Sequence, residues 1–213
     1  INGRGYGSFK ITEGESSGLW SVLRSSEDEV LKGSLLITLY ENLRWKTISP
    51  QGFREEMLAY LPNESNSLLF SMALSYLGDC QRIFPSDSRP LEQVLWKIVT
   101  TNPVSQHRLQ AFRLYRSIAD SEEAVQRLYT LWQERKAPKD CTLSESDYIG
   151  LSYMLAMHLP EKADKIIATQ LSRIQNPDRK KEYQFISPSV SPRKAERDSV
   201  FASLLIAGNR RVE

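Results

Sequence analysis

Two histidines and two cysteines are the side chains of this sequence best suited to metal chemistry, and their spacing argues against a metal site. His107 lies in "HRLQAF" and His158 in "HLPEK". Neither belongs to an H-E-x-x-H motif, which places two zinc ligands on one face of a helix beside a glutamate base. Cys80 and Cys141 have no redox or zinc-ribbon spacing, so a zinc site would need four isolated ligands to converge. The sequence predicts hydrogen-bonded or solvated histidines and two buried free thiols.

Paired carboxylates and a glycine-rich stretch are the other candidates for chemistry. Adjacent glutamates at Glu55–Glu56 and Glu122–Glu123 lie on predicted helix surfaces among basic residues, which favours solvated charge over acid–base catalysis. The segment "GRGYG" at residues 3–7 neither opens a helix nor carries the Lys-Ser/Thr pair of a phosphate loop. The sequence also lacks the G-x-S-x-G nucleophile elbow. We therefore assign no catalytic, cofactor-binding or metal-binding residue to this chain.

The composition is that of an ordinary globular domain. The chain has 213 residues, of which 40% are hydrophobic and 25% charged, and its net charge is +2. Such a weak charge does not predict a nucleic-acid partner. No apolar run approaches the roughly 18 residues that cross a membrane. The first residue is isoleucine, so we expect a piece of a longer polypeptide, with a cytoplasmic or an exported parent both open.

Signals for helix starts recur along the chain and predict nine or ten helices, with no strand beyond residue 12. The spacing of Ser26 and Glu29 predicts a capping box, as does that of Ser144 and Asp147. Asn176-Pro177 is expected to end a helix, and the last helix is expected to follow a loop rich in Ser and Pro. Predicted buried positions include two leucine-rich stripes and four tryptophans: Leu31, Leu35, Leu39, Leu43, Leu69, Ala73, Leu77, Trp20, Trp45, Trp96 and Trp132.

The predicted helix starts also have a period of about 40 residues. Ser26, Ser65, Ser105 and Ser144 each precede a helix, and a partner helix follows each of them. Pairs of helices with this period are typical of HEAT- or armadillo-like arrays, in which neighbouring pairs must stack to bury their apolar faces. The sequence therefore predicts an all-α superhelical array of paired antiparallel helices, preceded by one short N-terminal β-strand. The alternative is a helical bundle without repeats.

The first 80 residues resemble a known family. The stretch "NGRGYGSFKIT", followed by "LWSVL" and then by "DEVLKGSLLITLYENLRWKTISPQGFREEMLAYLPNESNSLLFSMALSYL", is similar to the aminopeptidase N family of zinc metallopeptidases. The order and spacing of these pieces agree with the family over this region. The later helices agree with it only in being helical and paired.

The resemblance implies an organisation and a function. Residues 1–14 would be the terminal strand of an upstream β-domain, and residues 15–213 the C-terminal helical repeat domain. The zinc and the catalytic residues would lie in an upstream domain, so no cofactor is expected in this chain. The helical domain would form a concave lid that controls the access of peptides to the zinc site. Its expected partners are the upstream catalytic and β-domains and the peptide substrate, with no membrane span.

Two other interpretations compete with this one. A HEAT-like scaffold that binds another protein would explain the repeat equally well, but not the glycine-rich start. A nucleic-acid binder would use the C-terminal stretch from residue 173 onward, which carries nine Lys/Arg against five Asp/Glu. The same stretch could hold a peptide carboxylate. The net charge of +2 makes a nucleic-acid partner the weakest of these interpretations. The basic stretch itself is best interpreted as solvated surface.

Overall fold

The computed structural model of the chain describes residues 9–209, and the regular secondary structure of this range is entirely helical, without a strand. The residues divide into two compact units, with the division between Ile118 and Ala119. The first unit contains α1 (Glu13–Ser25), α2 (Glu29–Arg44), α3 (Pro50–Tyr60), α4 (Ser67–Ile83), α5 (Arg89–Thr101) and α6 (Ser105–Ile118). The second contains α7 (Glu122–Glu134), α8 (Glu145–His158), α9 (Ala163–Arg173), α10 (Pro177–Ile186) and α11 (Lys194–Ser203). Four short 3-10 segments accompany them at Leu61–Asn63, Pro160–Lys162, Ser187–Val190 and Ala207–Asn209.

In the first unit the even-numbered helices pack side by side. Helix α4 contacts both α2 and α6, while α1, α3 and α5 pack on α2, α4 and α6 respectively. The predicted stripes supply much of the core, since Leu35, Leu39 and Leu43 of α2 are buried, as are Leu69, Ala73 and Leu77 of α4. Leu31, the first residue of the α2 stripe, is only half-buried. The predicted all-α class is confirmed. The superhelical array itself stays a prediction.

In the second unit α8 is the central helix. It packs against α7, α9 and the 3-10 segment Ser187–Val190, which also contacts α10 and α11. Two hydrogen bonds join buried side chains across the core. The Trp132 indole N–H donates to Gln170 Oε1 at 2.8 Å, and the hydroxyls of Ser152 and Tyr183 lie 2.9 Å apart. No helix within residues 9–209 combines the length and the apolar character needed to cross a bilayer.

The predicted N-terminal strand is not found where the structure can be described. Residues 1–8 of that prediction lie outside the described range, and residues 9–12 form neither helix nor strand. The backbone of residues 9–12 is held instead by the buried side chain of Asn42. Its amide donates to the Phe9 carbonyl at 2.7 Å, and its Oδ1 accepts from the Ile11 N–H at 2.9 Å. The domain boundary after residue 14 stays a prediction.

Two helices were not predicted. Helix α1 begins after Thr12, whose side chain forms a capping box with Glu15. Helix α10 begins after Asn176, whose Oδ1 accepts the N–H groups of Asp178 and Arg179. The Asn176-Pro177 pair therefore starts one helix, although its only predicted role was to end another. Pro177 fits because the first turn of a helix needs no donor there.

Three smaller expectations are also corrected. The N-cap of α2 is Asp28, whose carboxylate accepts from Val30 and Leu31, so the predicted capping box between Ser26 and Glu29 does not form. Trp45 follows α2 and is 37% exposed, and Trp96 is half-buried against Tyr115. Trp20 and Trp132 are buried, as predicted. The capping box of Ser144 and Asp147 is confirmed.

Candidate functional site

His107 is a core residue of the first unit. Its ring is fully buried, stacks on Phe70 with centroids 4.0 Å apart, and places Nε2 2.9 Å from Ser67 Oγ. Its Nδ1 has no hydrogen-bond partner within the described residues. Burial lowers the pKa of the imidazole, and the negative charge of Glu64 opposes this effect. His107 is thus a hydrogen-bonded histidine, as predicted.

The other candidate metal ligands lie in different surroundings. Cys80 is buried in the first unit, where desolvation raises the pKa of its thiol. Cys141 and His158 belong to the second unit, and Cys141 is only half-buried, so the prediction of a second buried thiol is wrong. His158 Nδ1 lies 3.9 Å from Asp120 Oδ1 beside a polar cleft of about 400 Å³. Within residues 9–209 no group of three or more His, Cys, Asp or Glu side chains could hold a metal ion.

The paired glutamates lie on helix surfaces, as predicted. Glu55 accepts a hydrogen bond from Gln51, and Glu56 pairs with Arg24. Glu122 and Glu123 occupy the first turn of α7, where Glu123 pairs with a neighbouring arginine. These positions favour helix stabilisation by charge. The glycines of residues 3–7 lie outside the described residues.

A groove between α4 and α6 is the candidate site, and it was not predicted. Its volume is about 470 Å³, and it is lined by Leu74, Ser75, Gly78, Asp79, Gln81, Arg82, Leu114, Ser117 and Ile118. Gly78 is essential to its shape, because a Cβ atom there would stand 2.9 Å from Leu114 Cδ1. The small residue lets α6 approach α4 closely and leaves an apolar floor of leucine and isoleucine side chains.

The rim of the groove is polar and is held by the neighbouring helix α2. Tyr40 donates from its hydroxyl to Asp79 Oδ2 at 2.7 Å, and its ring stacks on Tyr76 with centroids 4.0 Å apart. Asp79 also pairs with Arg82, one turn further along α4. Desolvation and the hydrogen bond to Asp79 both raise the pKa of Tyr40, so its phenol stays a donor. The carboxylate is thereby fixed between a tyrosine and an arginine.

The side chain of Arg82, on the polar rim of the groove, faces solvent. Its side chain is 75% exposed, although one of its nitrogens contacts Asp79. A guanidinium has five N–H donors, so most of them stay available to a carboxylate or a carbonyl oxygen. An apolar floor beside an anchored guanidinium suits a ligand with an apolar side chain and an acceptor group. Extended peptides carry both.

The start of α4 is fixed by a buried polar cluster. Glu64, just before the helix, accepts from the Tyr60 hydroxyl, pairs with Lys32 of α2, and accepts the Asn66 N–H at 2.7 Å. Asn66 in turn caps α4 by accepting from its first amides. The cluster therefore ties α4 to α2 at one end, while Tyr40 and Asp79 tie them further along.

Comparison with protein-family models, with curated proteins and with solved structures found no match to this chain. Its function therefore has to be inferred from the groove and from the features of its own sequence.

Proposed function

We propose that this chain is a non-catalytic helical module that binds an extended peptide in the groove between α4 and α6. One observation carries the proposal: an apolar floor at Leu74, Leu114 and Ile118 lies beside the exposed, anchored guanidinium of Arg82. The floor would accept an apolar side chain of the peptide. Arg82 would bind a backbone carbonyl or the terminal carboxylate by charge-assisted hydrogen bonds.

We further propose that the module belongs to a zinc aminopeptidase of the aminopeptidase N family. The support is the resemblance of the first 80 residues together with an all-α domain of paired helices. In this proposal the zinc and its ligands lie in an upstream domain of the same polypeptide. The groove would then hold the part of a peptide that extends away from the zinc site, and the module would act as a lid that limits access.

Peptide binding to the isolated chain tests the groove. We expect a labelled, leucine-containing peptide to bind, and the substitution Arg82→Gln to weaken it about tenfold, the usual cost of one charge-assisted contact. Arg24→Gln is the matched control. Arg24, like Arg82, is a surface arginine of the first unit paired with a carboxylate, here that of Glu56, but it lies outside the groove. Fluorescence anisotropy measures both affinities. Equal affinity of the Arg82→Gln and Arg24→Gln chains would overturn the proposal.

A specific observation also favours the second candidate, a protein-binding scaffold. Helix α11 has no buried residue, and large apolar side chains there and just after it are exposed: Phe201 by 71%, Leu205 by 72% and Ile206 by 61%. Exposed apolar clusters of this kind mark surfaces that contact other protein. The two proposals are compatible, because the upstream domains of the proposed parent are themselves protein partners.

A further inference from the structure

Two arginines of the second unit have no carboxylate partner. Arg135 follows the last turn of α7, and Arg173 ends α9. Within the described residues no Asp or Glu lies within ion-pair distance of either guanidinium. Other arginines of this unit are paired with carboxylates, for example Arg179 with Glu145 and Arg193 with Asp164.

Both guanidiniums are held in place by aromatic rings. Arg135 lies over the buried ring of Tyr148, 5.1 Å from its centroid, and Arg173 lies over Trp132 at 4.9 Å. Arg173 also donates to the carbonyls of Trp132 and Gln133, at 2.9 and 3.2 Å, at the end of α7. The rings cover one face of each guanidinium, and two N–H donors of Arg173 are used by the carbonyls. The other N–H groups of the two side chains can donate to a ligand.

The two side chains lie at the same end of α7, because Arg173 donates to the carbonyls of Trp132 and Gln133 and Arg135 follows that turn directly. The pKa of Arg173 is lowered, first by desolvation and then by the positive charge of Arg135. Both arginines also act on the same phenol, because each lowers the pKa of Tyr148 against the larger, raising effect of burial. An anion between the guanidiniums would relieve this repulsion.

The backbone at Arg135 determines which substitution can remove its side chain without strain. This residue has φ 52° and ψ 33°, the left-handed conformation that usually selects glycine after a helix. Lys46 and Asp140 share this conformation, so it is not evidence of a role by itself. It makes glycine the substitution that fits the backbone at position 135.

Two carboxylates at the start of α8 are engaged in other contacts. Glu145 accepts from the Gln175 N–H at 2.8 Å and pairs with Arg179, and Asp147 accepts from Ser144 in the capping box of α8.

We propose that Arg135 and Arg173 form a binding site for a phosphate-sized dianion, either inorganic phosphate or the phosphate group of a monoester. Two guanidiniums match the charge of such a group and can each donate to its oxygens in a fixed geometry. The site lies within the second unit and does not depend on the peptide groove of the first.

Phosphate titration of the full chain tests this site. We would follow the arginine side-chain N–H signals by NMR while inorganic phosphate replaces chloride at constant ionic strength. The expected result is saturable shifts of two side chains, with affinity at least about tenfold lower in Arg173→Gln and in Arg135→Gly. Methyl phosphate is the second probe, and equal binding of it shows that the site accepts a monoester.

Two controls make the result decisive. Arg135→Gly removes the guanidinium but fits the left-handed backbone, so loss of binding in a variant that melts no lower than the parent chain cannot come from misfolding. Arg179→Gln removes an arginine whose charge Glu145 already neutralises, and it should bind phosphate normally. Unchanged binding in Arg135→Gly and Arg173→Gln, absence of saturable shifts, or acetate binding as tight as phosphate would each overturn the proposal.

Discussion

At the scale of single residues, His107 should make the stability of the first unit depend on pH. Burial lowers the pKa of its imidazole in the folded chain below the value near 6.5 of an exposed histidine. The folded state therefore binds fewer protons than the unfolded state in mildly acidic solution. The contribution is fully present above the unfolded pKa and is lost as the pH falls through the folded pKa. We expect the free energy of unfolding to decrease from about pH 7 to pH 5.

Substitution of each histidine in turn isolates this effect. His107→Gln should reduce the slope of unfolding free energy against pH, measured by urea denaturation at several pH values. His158→Gln is the control, because His158 is one of only two histidines and its side chain is 30% exposed. Carboxylates that interact with neither imidazole contribute equally to both variants. A slope that responds to His158 and not to His107 would contradict the expected role of burial.

Sequence spacing could predict much of the core, although not the exposure of Trp45 and Trp96, and it could not predict which side chains meet across helices. The stripe of Leu35, Leu39 and Leu43 follows from periodicity within one helix. The bond between Tyr40 and Asp79 joins residues 39 apart in the chain and depends on how α2 and α4 pack. Nothing in the local pattern around either residue distinguishes this pair from exposed polar residues. The groove was missed for that reason.

At the scale of elements, the missed helices were concealed by ambiguous local signals. Helix α1 contains two glycines and four serines in 13 residues, which weakens its helical pattern. Its capping box at Thr12 and Glu15 was nevertheless readable from the sequence. Helix α10 has a polar sequence with one buried residue, Tyr183, so it has no apolar stripe to reveal it. Caps identify such helices better than periodicity does.

Two glycines in helix interiors make a matched test of how closely α4 and α6 pack. A Cβ at Gly33 of α2 would meet Leu69 at an ordinary 3.6 Å, whereas one at Gly78 of α4 would meet Leu114 at 2.9 Å. We expect Gly33→Ala to stabilise the chain by about 0.5–1 kcal/mol, because alanine loses less backbone entropy. Gly78→Ala should gain less or lose stability, since Leu114 must move. Thermal and urea unfolding of both variants measure the difference.

The double variant decides whether Leu114 is the cause. Combining Gly78→Ala with Leu114→Ala should be less unfavourable than the sum of the single changes, because the two side chains compete for the same space. Equal effects of alanine at positions 33 and 78, with additive behaviour at 78 and 114, would show that the close approach does not limit the packing.

At the scale of the whole molecule, the periodic starts of helices were predictable while their arrangement was not. Helices α2, α4, α6 and α8 begin at Glu29, Ser67, Ser105 and Glu145, close to the predicted period. The division of the described chain into two compact units at residue 118 had no signal in composition, because no linker rich in Gly, Ser or Pro separates α6 from α7. Helical repeats depend on contacts between neighbours, which a single helix pattern does not encode.

The proposed parent of this chain can be tested by separating its chemistry from its peptide binding. We expect the longer polypeptide to contain stoichiometric zinc and to hydrolyse aminoacyl amides in a chelator-sensitive reaction, and the isolated chain to do neither. Arg82→Gln in the longer polypeptide should raise KM for long peptides and leave kcat/KM for aminoacyl amides unchanged, because a short substrate does not reach the groove. Arg24→Gln should change neither value. A polypeptide without zinc or turnover would leave the protein-binding scaffold as the function of this module. If Arg82→Gln instead lowers kcat/KM equally for long peptides and for aminoacyl amides, Arg82 supports the fold and does not bind peptide, because only a long peptide reaches the groove.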